Sequence, residues 1–341
     1  MSIVGAFDVH RRQLTFEYLD ICSGELKRGR VIPADRQHLR EWLARFAGRQ
    51  DVHFALEGCT GWRYVAGELL AAGITPHLAE PADTAALRGK KRHAKTDKTD
   101  ARHLRVHLLA GDLPECWIPP EHVLEARAVA RLYKDLLDER GAWHQRIAAT
   151  LFHQGVPAIG SVAKPEGRAA LAGVDLSPAG RQAVQTGLRQ TDRLTAELEP
   201  LRRQLDMLSR RQPGCRALRT AHFGIGAVTS VAIWAELGDV RRFANSDDVV
   251  RHTGLDITVY SSDGKRSAGH LSRQGPELLR WALYEAAKCA ARPAAPDYGY
   301  YTAARDDRGG GRATLSVARK LARRCYHTLR ELGEDALAPA A

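Results

Sequence analysis

Residues 2–19, S-I-V-G-A-F-D-V-H-R-R-Q-L-T-F-E-Y-L, hold two apolar runs separated by the charged step His10–Arg12. The first run, Ser2–Val9, is nearly all apolar, with one carboxylate, Asp8, at its end. The second, Gln13–Leu19, alternates apolar and polar residues with the period of two expected of a β-strand. Gly24 marks a turn, after which Leu26–Ile32 can pair as a third strand. Asp35–Phe46 then changes period: Leu39, Trp42, Leu43 and Phe46 recur at helical spacing behind Asp35, a suitable N-cap. Val52–Glu57 is a further strand ending in a carboxylate. Trp62–Ala72 reads as a helix stopped by Gly73, and Ile74–Leu78 as another strand. Strands alternating with helices predict a mixed α/β sheet with helices packed on it.

Beyond this region the texture changes. Glu121–His153 is helical, with Val129, Leu132, Leu136, Trp143, Ile147 and Leu151 on its apolar side. The Gly/Pro-rich stretch Gly155–Pro178 interrupts it, and a second long helix spans Ala179–Arg211. In that helix Leu194, Leu198, Leu201, Leu205 and Leu208 follow a 4-3-4-3 spacing, with Pro200 expected to kink it. The seam suits either two helices packed within one domain or a dimerising coiled coil. A smaller helix-rich region follows from Gly214. It contains Thr220–Leu237, an amphipathic helix at Leu278–Arg292, and a last segment, Asp297–Ala341. In that segment the glycines Gly309–Gly311 precede a basic helix bearing Arg319, Lys320, Arg323 and Arg324. The predicted division is 1–115, 116–213 and 214–341: an α/β domain, a helical coiled-coil-like linker and a mainly α domain.

Of the 341 residues, 51 are Lys or Arg and 40 are Asp or Glu, a net charge of +11 that makes a polyanion a suitable partner. The six cysteines form no C-x-x-C pair, which argues against a zinc ribbon or redox dithiol and suits reduced thiols in a cytoplasm. The N-terminal run has the reverse order of a secretory signal, and no stretch approaches a membrane span.

Four carboxylates stand where chemistry would need them. Asp8 and Glu57 end strands, and ligands of open α/β sheets gather outside the carboxyl ends of strands. Asp97 and Asp100, in K-T-D-K-T-D-A-R, share a face if that segment is helical. Singly, each could be a helix cap or a salt-bridge partner. Together they suit a pair of divalent cations, which offset the mutual repulsion and drive phosphodiester chemistry. The cations Arg88, Lys90, Lys91, Arg92, Lys95, Lys98, Arg102 and Arg105 crowd the second pair, as contact with a phosphate backbone requires.

The segment V-Y-S-S-D-G-K-R offers two hydroxyls, Ser261 and Ser262, beside Lys265 and Arg266. On these residues alone an ordinary turn is the better reading. G-I-G at Gly224–Gly226 lacks the third glycine of a dinucleotide loop. It suits a helix-hairpin-helix-like turn whose N–H groups meet a phosphate, or a plain helix break. Arg273 and Arg280, in L-S-R-Q-G-P-E-L-L-R, suit a backbone contact or a solvated face.

The ordered motifs F-D-V-H, L-E-x-x-x-G-W and K-T-D-x-x-D-A resemble the DEDD transposases of insertion sequences. Four later segments, HFGIGAVTS, GDVRRF, HTGLDITVYSSDGKR and GHLSRQGPELLRWAL, resemble the family's C-terminal domain in the same order. The likeness covers residues 3–110 and 214–292. It implies an RNase H-like (RuvC-like) N-terminal fold and a transposase or recombinase that cuts and rejoins donor and target DNA. Asp8, Glu57, Asp97 and Asp100 would hold Mg²⁺ or Mn²⁺, two ions in all. A serine just before a glycine would form a covalent link to DNA. Asp263 intervenes here between Ser262 and Gly264, so both serines qualify, with Ser262 preferred. The resemblance also implies a structured guide RNA bridging donor and target DNA, a homo-oligomer (dimer or tetramer), no membrane association, and a place in the bacterial cytoplasm at the nucleoid. Lys90, Lys91, Arg92, Lys95, Lys98, Gly224, Gly226, Lys265, Arg266 and Arg273 are the expected nucleic-acid contacts. The rival readings are a RuvC-like resolvase that hydrolyses junctions with water and a non-catalytic nucleic-acid scaffold.

Overall fold

A computed structural model describes residues 1–87, 97–162, 164–258, 261–262, 265–266 and 269–339, with backbone alone at 97–98, 261–262 and 265–266. It divides into two compact units, Met1–Ile118 and Pro119–Ala341.

The first unit is built on β1 (Ile3–Val9), β2 (Leu14–Asp20), β3 (Leu26–Val31), α1 (Arg36–Leu43), β4 (Val52–Glu57), α2 (Trp62–Ala71), β5 (Thr75–Ala79), α3 (Pro81–Leu87), α4 (Asp97–Ala110) and β6 (Glu115–Cys116). The sheet order is β3-β2-β1-β4-β5-β6. The first three strands form an antiparallel meander, β4 and β5 run parallel to β1, and β6 is antiparallel at the edge. This mixed sheet is compatible with an RNase H-like domain. Asp35 caps α1 as its position predicts, its carboxylate accepting from the His38 N–H at 2.9 Å.

The two faces of the sheet are filled differently. Phe7, Phe16, Tyr18 and Phe54 point to one face and meet Trp42 and Phe46 from α1 and the 3-10 turn after it. Phe7 stacks on Phe54 with ring centroids 5.1 Å apart, and Phe16 lies 4.5 Å from Trp42. The opposite face carries the small or slender side chains Val4, Ala6, Ala55 and Ala79, over which α4 lays Leu104 and Leu108. Small residues let the helix approach closely, and a period of two keeps the sets apart.

The second unit contains α5 (Glu121–His153), α6 (Pro165–Ala172), α7 (Pro178–Arg211), α8 (Pro213–Ala221), α9 (Ala227–Leu237), α10 (Ser246–Thr253), β7 (Ser261–Ser262), β8 (Lys265–Arg266), α11 (Glu277–Ala287), α12 (Tyr298–Arg308) and α13 (Gly310–Leu332). α5 and α7 form an antiparallel hairpin. The Ser177 N–H donates to Gln154 Oε1 at 3.0 Å near its tip, and Arg140 reaches Thr195 Oγ1 lower down. At Gly187 a Cβ would lie 2.7 Å from Ile147, so glycine is what lets the helices close. α7 runs through Pro200 as one helix. Leu194, Leu198 and Leu205 are buried as α7 packs on α5, α8 and α9 of its own chain. That is the first of the two packings the heptad spacing allows. Gly309 alone makes the turn expected at the glycine run, since Gly310 already begins α13. Among the described residues no helix is long and apolar enough to cross a membrane.

A Cβ at Gly5 would fall 2.3 Å from the ring of fully buried Phe54. Gly5→Ala is therefore expected to destabilise the first unit by about 1–3 kcal/mol through overpacking. Chemical denaturation checks this, and an unchanged midpoint would mean that the aromatic face has slack.

Candidate active site and nucleic-acid interface

The register of β1 on β4 sets Ile3 opposite Val52 and Phe7 opposite Leu56. One residue further, Asp8 and Glu57 stand on neighbouring parallel strands, at their carboxyl ends. Both follow the face that carries Ala6 and Ala55, the face α4 covers. Asp8 is largely shielded at 15% exposure, and its Oδ2 pairs with His10 Nε2 at 3.0 Å. His10 was not singled out in the sequence, yet its position two residues on along the same strand edge brings it there. Cys59 lies beside both acids. Burial pushes its thiol up, and the charges of Glu57 and Asp8 add to that. Gly61, at φ +102°, makes the turn into α2 at this edge, whereas Gly58 has room for a Cβ.

Asp97 opens α4 and Asp100 follows within its first turn. Asp100, Leu104 and Leu108 share one stripe of the helix, and Leu104 and Leu108 rest on the sheet. His103 Nε2 lies 3.2 Å from the Thr84 carbonyl in α3, directly after β5, so the first turns of α4 lie at the carboxyl edge of the strands. Among the described residues no three His, Cys, Asp or Glu side chains are grouped to hold a metal. The donors themselves, carboxylate oxygens on adjacent strand ends, have the hard chemistry that Mg²⁺ or Mn²⁺ takes.

Of the expected cations, Arg88, Lys90, Lys91, Arg92 and Lys95 lie outside the described residues, as does the side chain of Lys98. Arg105 is 8% exposed and donates to buried Glu17 at 2.8 Å, so it is spent inside the sheet–helix interface rather than on a phosphate. The charge run concealed this because its partner is 88 residues away.

In the second unit, G-I-G is the turn between α8 and α9. Gly224, at φ +90°, would drive a Cβ to 2.4 Å from the Ala286 carbonyl. The Gly226 N–H donates to Thr229 Oγ1 at 2.8 Å. The turn is thus shaped by packing on α11, and one of its expected phosphate donors is already engaged. Arg280 also turns inward, donating to the carbonyls of Thr253 and Gly275.

Ser261 and Ser262 in β7 pair with Arg266 and Lys265 in β8 across a two-strand hairpin. Asp263 and Gly264 lie outside the described residues. The stem is zipped by the Ile257–Leu271 bridge and by the Thr258 N–H donating to the His270 carbonyl at 2.9 Å. Beside this stem is a cavity of about 560 Å³ lined by His270, Arg273, Arg308, Arg312 and Arg319. Arg273 adopts φ +53°, a left-handed conformation unusual for a residue with a Cβ, and its N–H is tied to the Gly254 carbonyl. The sequence named Arg273 and Arg319 separately. The meeting of four arginines and a histidine was not legible from spacing.

Residues 6–153 match the DEDD transposase family of IS110, and residues 215–301 match the Transposase IS116/IS110/IS902 family. The chain is 26% identical over 285 residues to a Pseudomonas aeruginosa protein described as a probable family 20 transposase, covering 80% of this chain and 78% of that one. It is 29% identical over 244 residues to a Sinorhizobium fredii protein described as "Putative transposase y4rJ", covering 64% of this chain and 60% of that one. The two family matches define a transposase, with which the mixed sheet of the first unit is compatible. The chain belongs to the IS110/IS116 family of DEDD transposases. Membership implies an enzyme that cleaves and rejoins DNA.

One half-buried group near the serine stem gives a pH signature. Burial, with the Arg242 charge beside it, pushes the His252 imidazole down to about 4. The folded value is below the unfolded value of about 6.5, so this stability is complete above that pH. It is lost as pH falls from about 6.5 to about 4, a change of at most about 3 kcal/mol. Denaturation between pH 7 and 4 should show wild type losing more stability than His252→Gln. Equal losses would place the proton elsewhere.

Proposed function

We propose that this chain is the transposase of a mobile insertion sequence. In this reading it cuts and rejoins donor and target DNA with a metal-holding DEDD set (Asp8, Glu57, Asp97 and Asp100) and a serine nucleophile, Ser262 or its neighbour Ser261. The observation that carries the reading is the placement of Asp8 and Glu57 at the carboxyl ends of adjacent parallel strands, one residue past Phe7 and Leu56 and on the face that α4 covers. Divalent ions bound there would supply positive charge to a phosphodiester undergoing in-line displacement. The chain's own part is to hold the acids in register on a rigid sheet, with His10 fixing the Asp8 carboxylate. The serine hydroxyl attacks phosphorus and gives up its proton to solvent, the bond from phosphorus to the leaving strand's oxygen breaks, and that oxygen takes a proton back from solvent, so the exchange is balanced. Lys265 and Arg266, facing the serines across the hairpin backbone, offer charge to the phosphate. The division into an acidic domain, a helical linker and a serine-bearing domain belongs to the same reading. So do a structured guide RNA, which the basic charge accommodates, a homo-oligomer and action on DNA in the cytoplasm at the nucleoid.

The test is a strand-cleavage assay on supercoiled plasmid and branched DNA with Mg²⁺, comparing wild type with Asp8→Ala, Ser261→Ala and Ser262→Ala. Asp8→Ala is expected to lower cleavage by at least about 100-fold, since a metal-held displacement loses its ligand. Ser262→Ala should abolish a covalent protein–DNA band. Cleavage surviving the loss of both serines would favour hydrolysis by water, and no Mg²⁺-dependent break in wild type would favour a binding scaffold.

A further inference from the structure

The basic cavity at the foot of the serine hairpin joins residues far apart in the chain. His270 and Arg273 come from the stem and the segment after it, Arg308 from the end of α12, and Arg312 and Arg319 from α13. Most other basic groups of α13 are neutralised internally. Asp297 accepts from Lys320 and Arg324 at 2.9 and 2.6 Å, and Asp247 accepts from Arg323 at 2.8 Å. Arg319 is half-buried and donates to the Leu255 carbonyl at 2.6 Å, so its guanidinium is fixed before any ligand arrives. Arg308 shares its charge with its neighbour Asp307 at 2.7 Å. No carboxylate lines the cavity among the described residues. Four arginines lining one cavity, with no carboxylate among its described lining residues, have the chemistry of an oxyanion site, and their planar forks suit phosphate oxygens.

We propose that this cavity seats a backbone phosphate of the DNA strand on which the serine hairpin acts. The proposal rests on the preceding reading for the identity of that strand. DNA is favoured over RNA because the cavity wall includes Ile257 and Gly269, the two sides of the stem that leads to Ser261 and Ser262. Ser262 is four residues beyond Thr258 and so no more than about 14 Å from it along the chain. At a rise of about 3.4 Å per nucleotide of a strand, that span alone corresponds to about four nucleotides, so the seated phosphate and the one attacked belong to one short stretch of strand. Arg273 and Arg312 are then positioning residues, setting the strand's register beneath the hairpin.

The test measures anisotropy of a fluorescein-labelled 30-base-pair DNA duplex, and of an RNA duplex of the same sequence, against salt. Full-length wild type is compared with Arg308→Gln/Arg312→Gln and with Arg273→Gln. Arg181→Gln/Arg193→Gln, two exposed arginines on α7, controls for the charge change. The cavity variants should bind DNA about tenfold more weakly at moderate salt, with the log–log salt slope smaller by about one for each phosphate no longer neutralised. Arg312→Lys should restore part of the affinity with the slope. Equal slopes in the cavity variants and the α7 control would overturn the proposal, as would weakened binding confined to the RNA duplex. Arg308 and Arg312 are both exposed, so unfolding is not expected to intervene; Arg273→Gln gives a separate reading. If wild type makes no Mg²⁺-dependent break yet the cavity variants show a smaller slope, the phosphate seat stands and the cleavage reading fails. If wild type cleaves and the slopes are equal, only the seat fails.

Discussion

The first unit depends on the register of β1 against β4. Phe7 and Phe54 are stacked on one face while Ala6 and Ala55 fill the other, so a slip of one residue would expose the rings and bury the wrong set. The same register brings Asp8 level with Glu57. The aromatic face thus fixes the acidic edge: packing energy spent on Phe7, Phe16, Trp42 and Phe54 holds two like charges side by side at the strand ends. The alanines opposite then let α4 lie close enough to carry Asp100 toward that edge.

The second unit is organised by close approach and by satisfied charge. Glycines at Gly187, Gly224 and Gly275 stand where a Cβ would strike a neighbouring side chain or carbonyl, so they set how near the helices and the post-stem segment can come. Glu236 is 2% exposed and receives two hydrogen bonds from Arg131, with Arg127 3.6 Å away, an arrangement that offsets the cost of burying a carboxylate. Arg127 also donates to the Ala235 carbonyl, tying α5 to the end of α9. These ties steady the frame from which the stem of the serine hairpin projects.

The chain's basic character takes on a different meaning once partners are visible. Arg105, Arg280, Lys320, Arg323 and Arg324 are engaged by buried carboxylates, backbone carbonyls or Asp297 and Asp247. A positive total is therefore a poor guide to which arginines face a polyanion. The cavity beside the stem has arginines on its wall and no carboxylate among the described residues, a distinction of place rather than of number.

Local pattern determined the strands and helices to within a residue or two in most of the first unit, because alternation and helical spacing record which side of an element is buried. It also singled out Asp8 and Glu57, because a carboxylate closing an apolar strand stands out in one dimension. Motif order was sufficient to indicate the transposase family. Tertiary structure alone decided that Arg105 belongs to Glu17, that Leu194, Leu198 and Leu205 of α7 are buried, and that the Gly226 N–H is engaged by Thr229. It alone brought Arg273 to Arg308, Arg312 and Arg319. The reason is physical: what an element buries is written in its own period, whereas which charge meets which is set by contacts between residues distant in sequence.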